Sequence, residues 1–359
     1  MISNQKTEEI ERVIRRKSGR RVTSYDVARL AEVSQSAVSR AFDADSPISP
    51  EMRKKVKAAA RTLGWQPNSI ARSLQRQRAD FIGVITSDLG SRWRAQQMAC
   101  LIPALEDADY RPLIFQTRDE KDADTLIGQV MSYQGNAVIL GAGLMSSRLA
   151  DLCLKQGLLV ISLNRWIERR GVVSIACDHL AGARMAAEHL VAGGCRKLLF
   201  VRGRDDTHAS HEREAGFIET AKAGGVAFEI MNVGAFTREA GRQAGSAIGS
   251  MARRSRPDGI FAANDEIALG IIDHAYATGD YRVPDDFALV GFDDILDAAA
   301  PPYRLSTVAQ PLQQTTAAVI GQLQHWIGRS AQRPGAESGM RVEPSLVVRR
   351  SSLSRGMQA

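Results

Sequence analysis

The sequence predicts an α/β protein in three parts: a small N-terminal three-helix helix-turn-helix domain, a hinge helix, and a two-lobed body built on doubly wound parallel sheets. Three observations predict it. Short helical patterns with clear punctuation fill residues 22–66, a polar stretch bearing Arg72, Arg76 and Arg78 follows, and from residue 81 short β-rich runs alternate with helical segments. Charge divides the chain at the same place. Residues 1–80 hold 17 Lys/Arg against 9 Asp/Glu, the remainder 30 against 31, within a formal net charge of +7. A basic module on a near-neutral body implies an electrostatic partner for the first part alone, nucleic acid ahead of a membrane surface.

Residues 1–21 read as a basic N-terminal extension, a solvated arm. In 22–66, Thr23 caps a first helix and Asp26, three positions on, returns the bond. Glu32-Val33-Ser34 makes the turn, and Ser34 caps a second helix whose Val38 and Phe42, four apart, face inward. Ser49-Pro50 opens the third helix and Gly64 ends it. The hinge, 67–80, starts with Asn68 as a cap but carries too few apolar residues to fold alone, so it should order only on contact with a partner.

In the body, 81–350, strands are expected at Phe81-Ile85, Leu113-Phe115, Ala137-Leu140, Leu158-Leu163, Lys197-Val201, Gly259-Ala262 and Phe287-Phe292. Their helical connections argue for parallel sheets covered on both faces, and the length argues for two lobes flanking a cleft. Ligands of such sheets bind beyond the carboxyl ends of the strands. The polar candidates there are Asp88, Asn164, Arg165, Asn264, Asp265 and Asp293, with Trp93, Trp166 and Phe236 as flat faces for a ring. Helix capping competes for the Asp and Asn residues, and core packing for the aromatics.

Enzyme chemistry finds little support. Gly141-Ala142-Gly143 lacks its third glycine because Ser146 stands there, and neither G-x-x-x-x-G-K-[ST] nor G-x-S-x-G occurs. His208 and His211 have no third ligand at metal spacing and read as a solvated loop, while Asp293 and Asp294, adjacent at a strand end, should point apart. No cofactor is expected. Cys100, Cys153, Cys177 and Cys195 show no C-x-x-C spacing and read as reduced thiols. Without an apolar leader or membrane-length segment, the expectation is a cytoplasmic protein.

The stretch from Val22 to Arg40 resembles the helix-turn-helix signature of the LacI/GalR family of transcription regulators. Gly64-Trp65-Gln66-Pro67-Asn68-Ser69-Ile70-Ala71-Arg72-Ser73-Leu74 is similar to that family's hinge, and Ala263-Asn264-Asp265 and Gly291-Phe292-Asp293-Asp294 extend the likeness into the body. Gln35, Ser36 and Arg40, on the first turns of the second helix, suit base edges in the major groove and match the family's reading positions. Ser24, Tyr25 and Ser39 suit phosphates. The resemblance implies DNA contacts for Asn68 and Ala71, a minor-groove wedge for Leu74, and an effector contact for Arg213.

It also implies a periplasmic-binding-protein-like body, with one lobe about 81–176 plus 308–335, the other about 177–307 plus 336–350, and a tail at 351–359. The whole would be a homodimeric repressor on a palindromic double-stranded operator, controlled by a small effector, a sugar or sugar derivative. Two departures stand out: Asp43 replaces the usual Asn, placing a carboxylate beside a phosphate, and Asp88-Leu89-Gly90-Ser91-Arg92-Trp93 replaces the usual Asn-Pro-aromatic-aromatic turn. A sugar-binding protein without DNA activity and an α/β enzyme with a DNA-binding head are the competing readings.

Overall fold

A computed structural model describes residues 22–43, 46–66, 81–117, 123–133, 135–141, 147–205, 207–327, 334–335, 338 and onward to 353. The N-terminal extension, the hinge with Asn68, Ala71 and Leu74, and the last residues of the tail lie outside them. The chain divides into two compact units, Met1–Ala79 and Asp80–Ala359.

In the first unit the described helices are α1 (Ser24–Leu30), α2 (Gln35–Ala41) and α3 (Pro50–Thr62). Their ends follow from local chemistry. Asp26 accepts from both the amide and the hydroxyl of Thr23, at 2.8 and 2.7 Å, and Ser34 and Ser49 each accept the amide three residues ahead. Glu32, at φ 51°, turns the chain between α1 and α2. Val27, Val38, Ala41 and Val56 are fully buried at the centre, and Phe42 meets Trp65 edge-on at 5.4 Å.

Among the described residues the second unit holds two six-stranded sheets. The first has the order β11-β5-β4-β3-β1-β2 and comprises β1 (Phe81–Thr86), β2 (Arg111–Gln116), β3 (Ala137–Leu140), β4 (Leu159–Leu163), β5 (Val172–Cys177) and β11 (Gly339–Val342), all parallel. The second runs β12-β10-β9-β8-β6-β7 and comprises β6 (Lys197–Arg202), β7 (Ala227–Asn232), β8 (Gly259–Ala262), β9 (Ala288–Asp293), β10 (Ser306–Ala309) and an antiparallel edge, β12 (Ser345–Val347). Both sheets have the order of a doubly wound fold, reversing between β1 and β3 in one and between β6 and β8 in the other.

Helices α4 (Arg92–Asp107) and α11 (Leu312–Trp326) share one apolar cluster of the first sheet, and α5 (Ala123–Ser132) and α6 (Ser147–Lys155) share the other. The second sheet is covered by α7 (His179–Ala192), α8 (His208–Ala223), α9 (Arg238–Ser250) and α10 (Asp265–Thr278). Helices α9 and α10 approach through Gly241 and Gly270, where any Cβ would collide with the opposing backbone.

Two expectations need correction. The expectation places 336–350 wholly in the second lobe, yet β11 pairs with β5 of the first, so the last crossing falls between Val342 and Ser345. The cause is an edge strand without an apolar run, invisible to hydrophobic patterning but hydrogen-bonded in register. His208 and His211 also do not lie in a loop: Thr207 accepts the Ser210 amide and starts α8 there.

Candidate nucleic-acid interface and effector cleft

On the N-terminal unit the cap at Ser34 places the first turns of α2 at the surface. Ser36, Ser39 and Arg40 are exposed, Gln35 is half-buried with a long 3.5 Å bond to Ser24 Oγ, and Tyr25 on α1 is 67% exposed. The six predicted contact residues that fall within the described segments therefore sit on two adjoining helices, with α3 bracing from below. Asp43 has local partners: its carboxylate accepts from Ser46 at 2.9 Å, and Arg53 ties down the carbonyls of Ala41, Asp43 and Ser46. That makes Asp43 a loop-fixing residue.

The cleft of the body is built at strand ends. Asp88, Asn164, Asp293 and Asp294 follow or end β1, β4 and β9, and all four have positive φ (46°, 70°, 123° and 54°). Backbone of this kind is held only where surrounding structure imposes it, and it concentrates at binding sites. Asp293 is 7% exposed; its Oδ1 accepts from Gln310 at 2.7 Å and faces Arg213 Nη2 at 3.5 Å. Burial pushes its pKa up to about 6 against the pull of Arg213. Asp294 turns the other way, to Arg349 at 2.8 Å.

Arg213 is fully enclosed. It donates to the Ala263 carbonyl, lies 3.7 Å from the centroid of Phe292, and meets His179 Nδ1 at 3.3 Å. Burial and the neighbouring guanidinium hold His179 well below the usual imidazole range, so it is neutral. From the first lobe, Arg94 donates to the Gly141 carbonyl and feels both Asp88 and Asp293. Sequence reasoning missed Arg94, His179 and Gln310.

The other predicted residues divide. Asn164 keeps an unpaired amide nitrogen at the end of β4. Asn264 spends its oxygen capping α10 through the Ile267 amide, and Phe236 covers Gly203 beside it. Trp93 reaches from α4 into the core of the second lobe, and Trp166 carries Arg341 over its ring at 5.1 Å. Asp88 is exposed, and Asp265, wholly buried, binds Thr307 and the Ile295 amide as a structural group. The lobes are joined by Arg92 to Asp297 at 2.9 Å, Arg341 to Glu212 at 2.7 Å, and Gln96 to the Leu296 amide at 2.9 Å. Among the described residues no cluster of three metal-ligating side chains forms and no helix is long and apolar enough to cross a membrane.

Residues 23–68 match the family described as bacterial regulatory proteins, lacI family, and residues 187–352 match the periplasmic binding protein-like domain. In its N-terminal unit the chain is similar to the LacI family. Among the relatives, catabolite control protein A of Staphylococcus xylosus is 29% identical over 301 residues, covering 81% of this chain and 88% of that protein. A transcriptional regulator CelR in complex with cellobiose is 25% identical with a TM-score of 0.67, over 92% of this chain and 100% of that one. A lac repressor dimer bound to operator and an anti-inducer shares the fold, with a TM-score of 0.78 and 24% identity over 93% and 100% of the two chains. The two matched domains fall one in each unit of this chain.

Proposed function

We propose that this chain is a LacI-type transcriptional repressor that binds a palindromic operator as a homodimer and is controlled by a small effector, a sugar or sugar derivative, held in the cleft between the lobes. The observation that carries the reading is the pairing of an exposed, capped reading helix with a cleft whose polar groups come from both lobes. Gln35, Ser36 and Arg40 read base edges, and Ser24, Tyr25 and Ser39 hold phosphates. Asn68, Ala71 and Leu74 contact the operator centre, Leu74 as a wedge between base steps.

In the cleft, Arg213 and Asp293 bind the effector from the second lobe and Asn164 from the first. Asp88 lies at the first-lobe rim, Trp93 reaches from the first lobe across to the second, and Phe236 and Asn264 flank the second-lobe floor. A ligand that bridges the lobes favours one closure angle, and that bias shifts the population of hinge states able to pair on DNA. The protein works in the cytoplasm without enzymatic turnover or cofactor. The test is selection of a binding site from random duplex DNA with the purified chain, followed by release of that site by ligands. Enrichment of a two-fold symmetric site supports the reading; enrichment of no sequence overturns it.

A further inference from the structure

Most of the buried unpaired polar side-chain atoms of the body are donors. Among the described residues, Trp93 Nε1, Arg94 Nε, Asn164 Nδ2, His179 Nε2 and Arg213 Nε are buried with no hydrogen-bond partner, and the Gln97 amide, one turn beyond Trp93, adds one donor and one acceptor. His179 counts as a donor because its Nδ1 faces the Arg213 guanidinium, which leaves the ring proton on Nε2. Arg94 Nε and Asn164 Nδ2 of the first lobe and Arg213 Nε of the second, on residues at or following strand ends, are costly to leave unpaired unless something rich in acceptors meets them.

The two arginines are counterparts. Arg94 lies on the helix after the first strand of its lobe, and Arg213 on the helix after the first strand of the other. Each donates to the carbonyl of the residue just past the third strand, Gly141 and Ala263. Those two residues are themselves equivalent, their amides bonding Ile85 and Val201 of the first strands at 2.8 and 2.9 Å. Both guanidiniums thus mark the switch points of their sheets, where ligands of doubly wound folds bind. Their charges differ in one respect. Arg213 faces Asp293, whereas Arg94 forms no ion pair among the described residues.

Resting on the reading of the cleft as the effector site, we propose that the effector is a hydroxylated organic anion, its charged group bound by Arg94 and its hydroxyls by Asp293 and Asn164. A neutral sugar would supply hydroxyls to Asp293 but leave the buried Arg94 charge without a direct ion-pair partner, only the more distant Asp88 and Asp293 offsetting it. An anionic oxygen gives the arginine fork a charge-assisted partner.

The test is calorimetric titration of the full chain with matched pairs: galactose against galacturonate, glucose against glucuronate, and glucose against glucose 6-phosphate, which separates carboxylate from phosphate. The anionic member of a pair should bind at least about tenfold more tightly, the order expected for one charged hydrogen bond. Arg94→Gln should erase that preference and Arg94→Lys should keep part of it. A neutral sugar that binds as tightly as its anionic partner, or a preference that survives Arg94→Gln, overturns the inference while leaving the regulator reading intact. That reading fails separately, if a bound ligand leaves operator affinity unchanged.

Discussion

Asp293 and Arg213 face each other at 3.5 Å, both buried, with Gln310 donating to the same carboxylate oxygen at 2.7 Å. The pair joins the end of β9 to α8, two elements of one lobe separated by 80 positions in sequence. Removing the cation leaves a buried carboxylate with only the Gln310 amide and the more distant Arg94 to offset its charge, so stability depends on the pair, and in the proposed effector site the ligand response does too.

Arg213→Ala should therefore abolish the effect of ligand on operator binding while the folded protein still binds operator. The variant should lose about 3 kcal/mol of stability, the usual cost of breaking a buried pair. Mobility-shift titrations with and without ligand, alongside urea unfolding, check both parts. A variant that still responds normally would move the site elsewhere.

Asp293 holds its proton more tightly folded than unfolded, near 6 against an ordinary 3.8. Its contribution to stability is full below the unfolded value and is lost as pH rises through about 6. Asp293→Asn cannot titrate, so the stability difference between variant and wild type should move about 2–3 kcal/mol in the variant's favour from about pH 4 to about pH 7. Urea unfolding of both proteins at the two pH values measures it; a difference that stays flat would contradict the burial of this carboxylate.

Ser34 caps the helix that carries Gln35, Ser36 and Arg40. Ser34→Ala should cost the N-terminal unit about 1 kcal/mol and weaken operator binding with it. Circular dichroism melts and anisotropy titrations read the two effects, and an unchanged melt would remove the cap from the account.

Leu74 is, with Ile70, one of two large apolar residues in a largely polar hinge. Leu74→Ala should weaken operator binding by roughly tenfold, since the bent duplex loses its wedge, with the thermal midpoint of the body unchanged. Equal affinity of mutant and wild type would remove the wedge from the mechanism.

Much of this architecture was legible in the sequence because its causes are local. Thr23, Ser34, Ser49-Pro50 and Gly64 punctuate the three head helices within a few residues of each end, and β1, β3, β4, β6, β8 and β9 are apolar runs because the sheets bury both faces. The edge strands β7 and β11 carry no such run, being half in water, and β5 is broken by Ser174, which is buried but satisfied by Ile167.

In the cleft, Arg213 and Asp293 were within reach of motif and strand-end reasoning. Arg94 was not: at the start of a helix it reads as a solvated cation, and its acceptor is a backbone carbonyl 47 positions away. His179 likewise acquires its role only when α7 and α8 are packed together. Asn264 shows the opposite case, a predicted ligand contact whose oxygen proves occupied by its own helix.

The most direct measurement is the dissociation constant of the selected operator, by fluorescence anisotropy, with and without a ligand shown by calorimetry to bind the cleft. The expected result is a shift of tenfold or more, about 1.4 kcal/mol of coupling, in wild type and none in Arg213→Ala. A ligand that fills the cleft of the wild-type protein and leaves that constant unmoved would contradict the account.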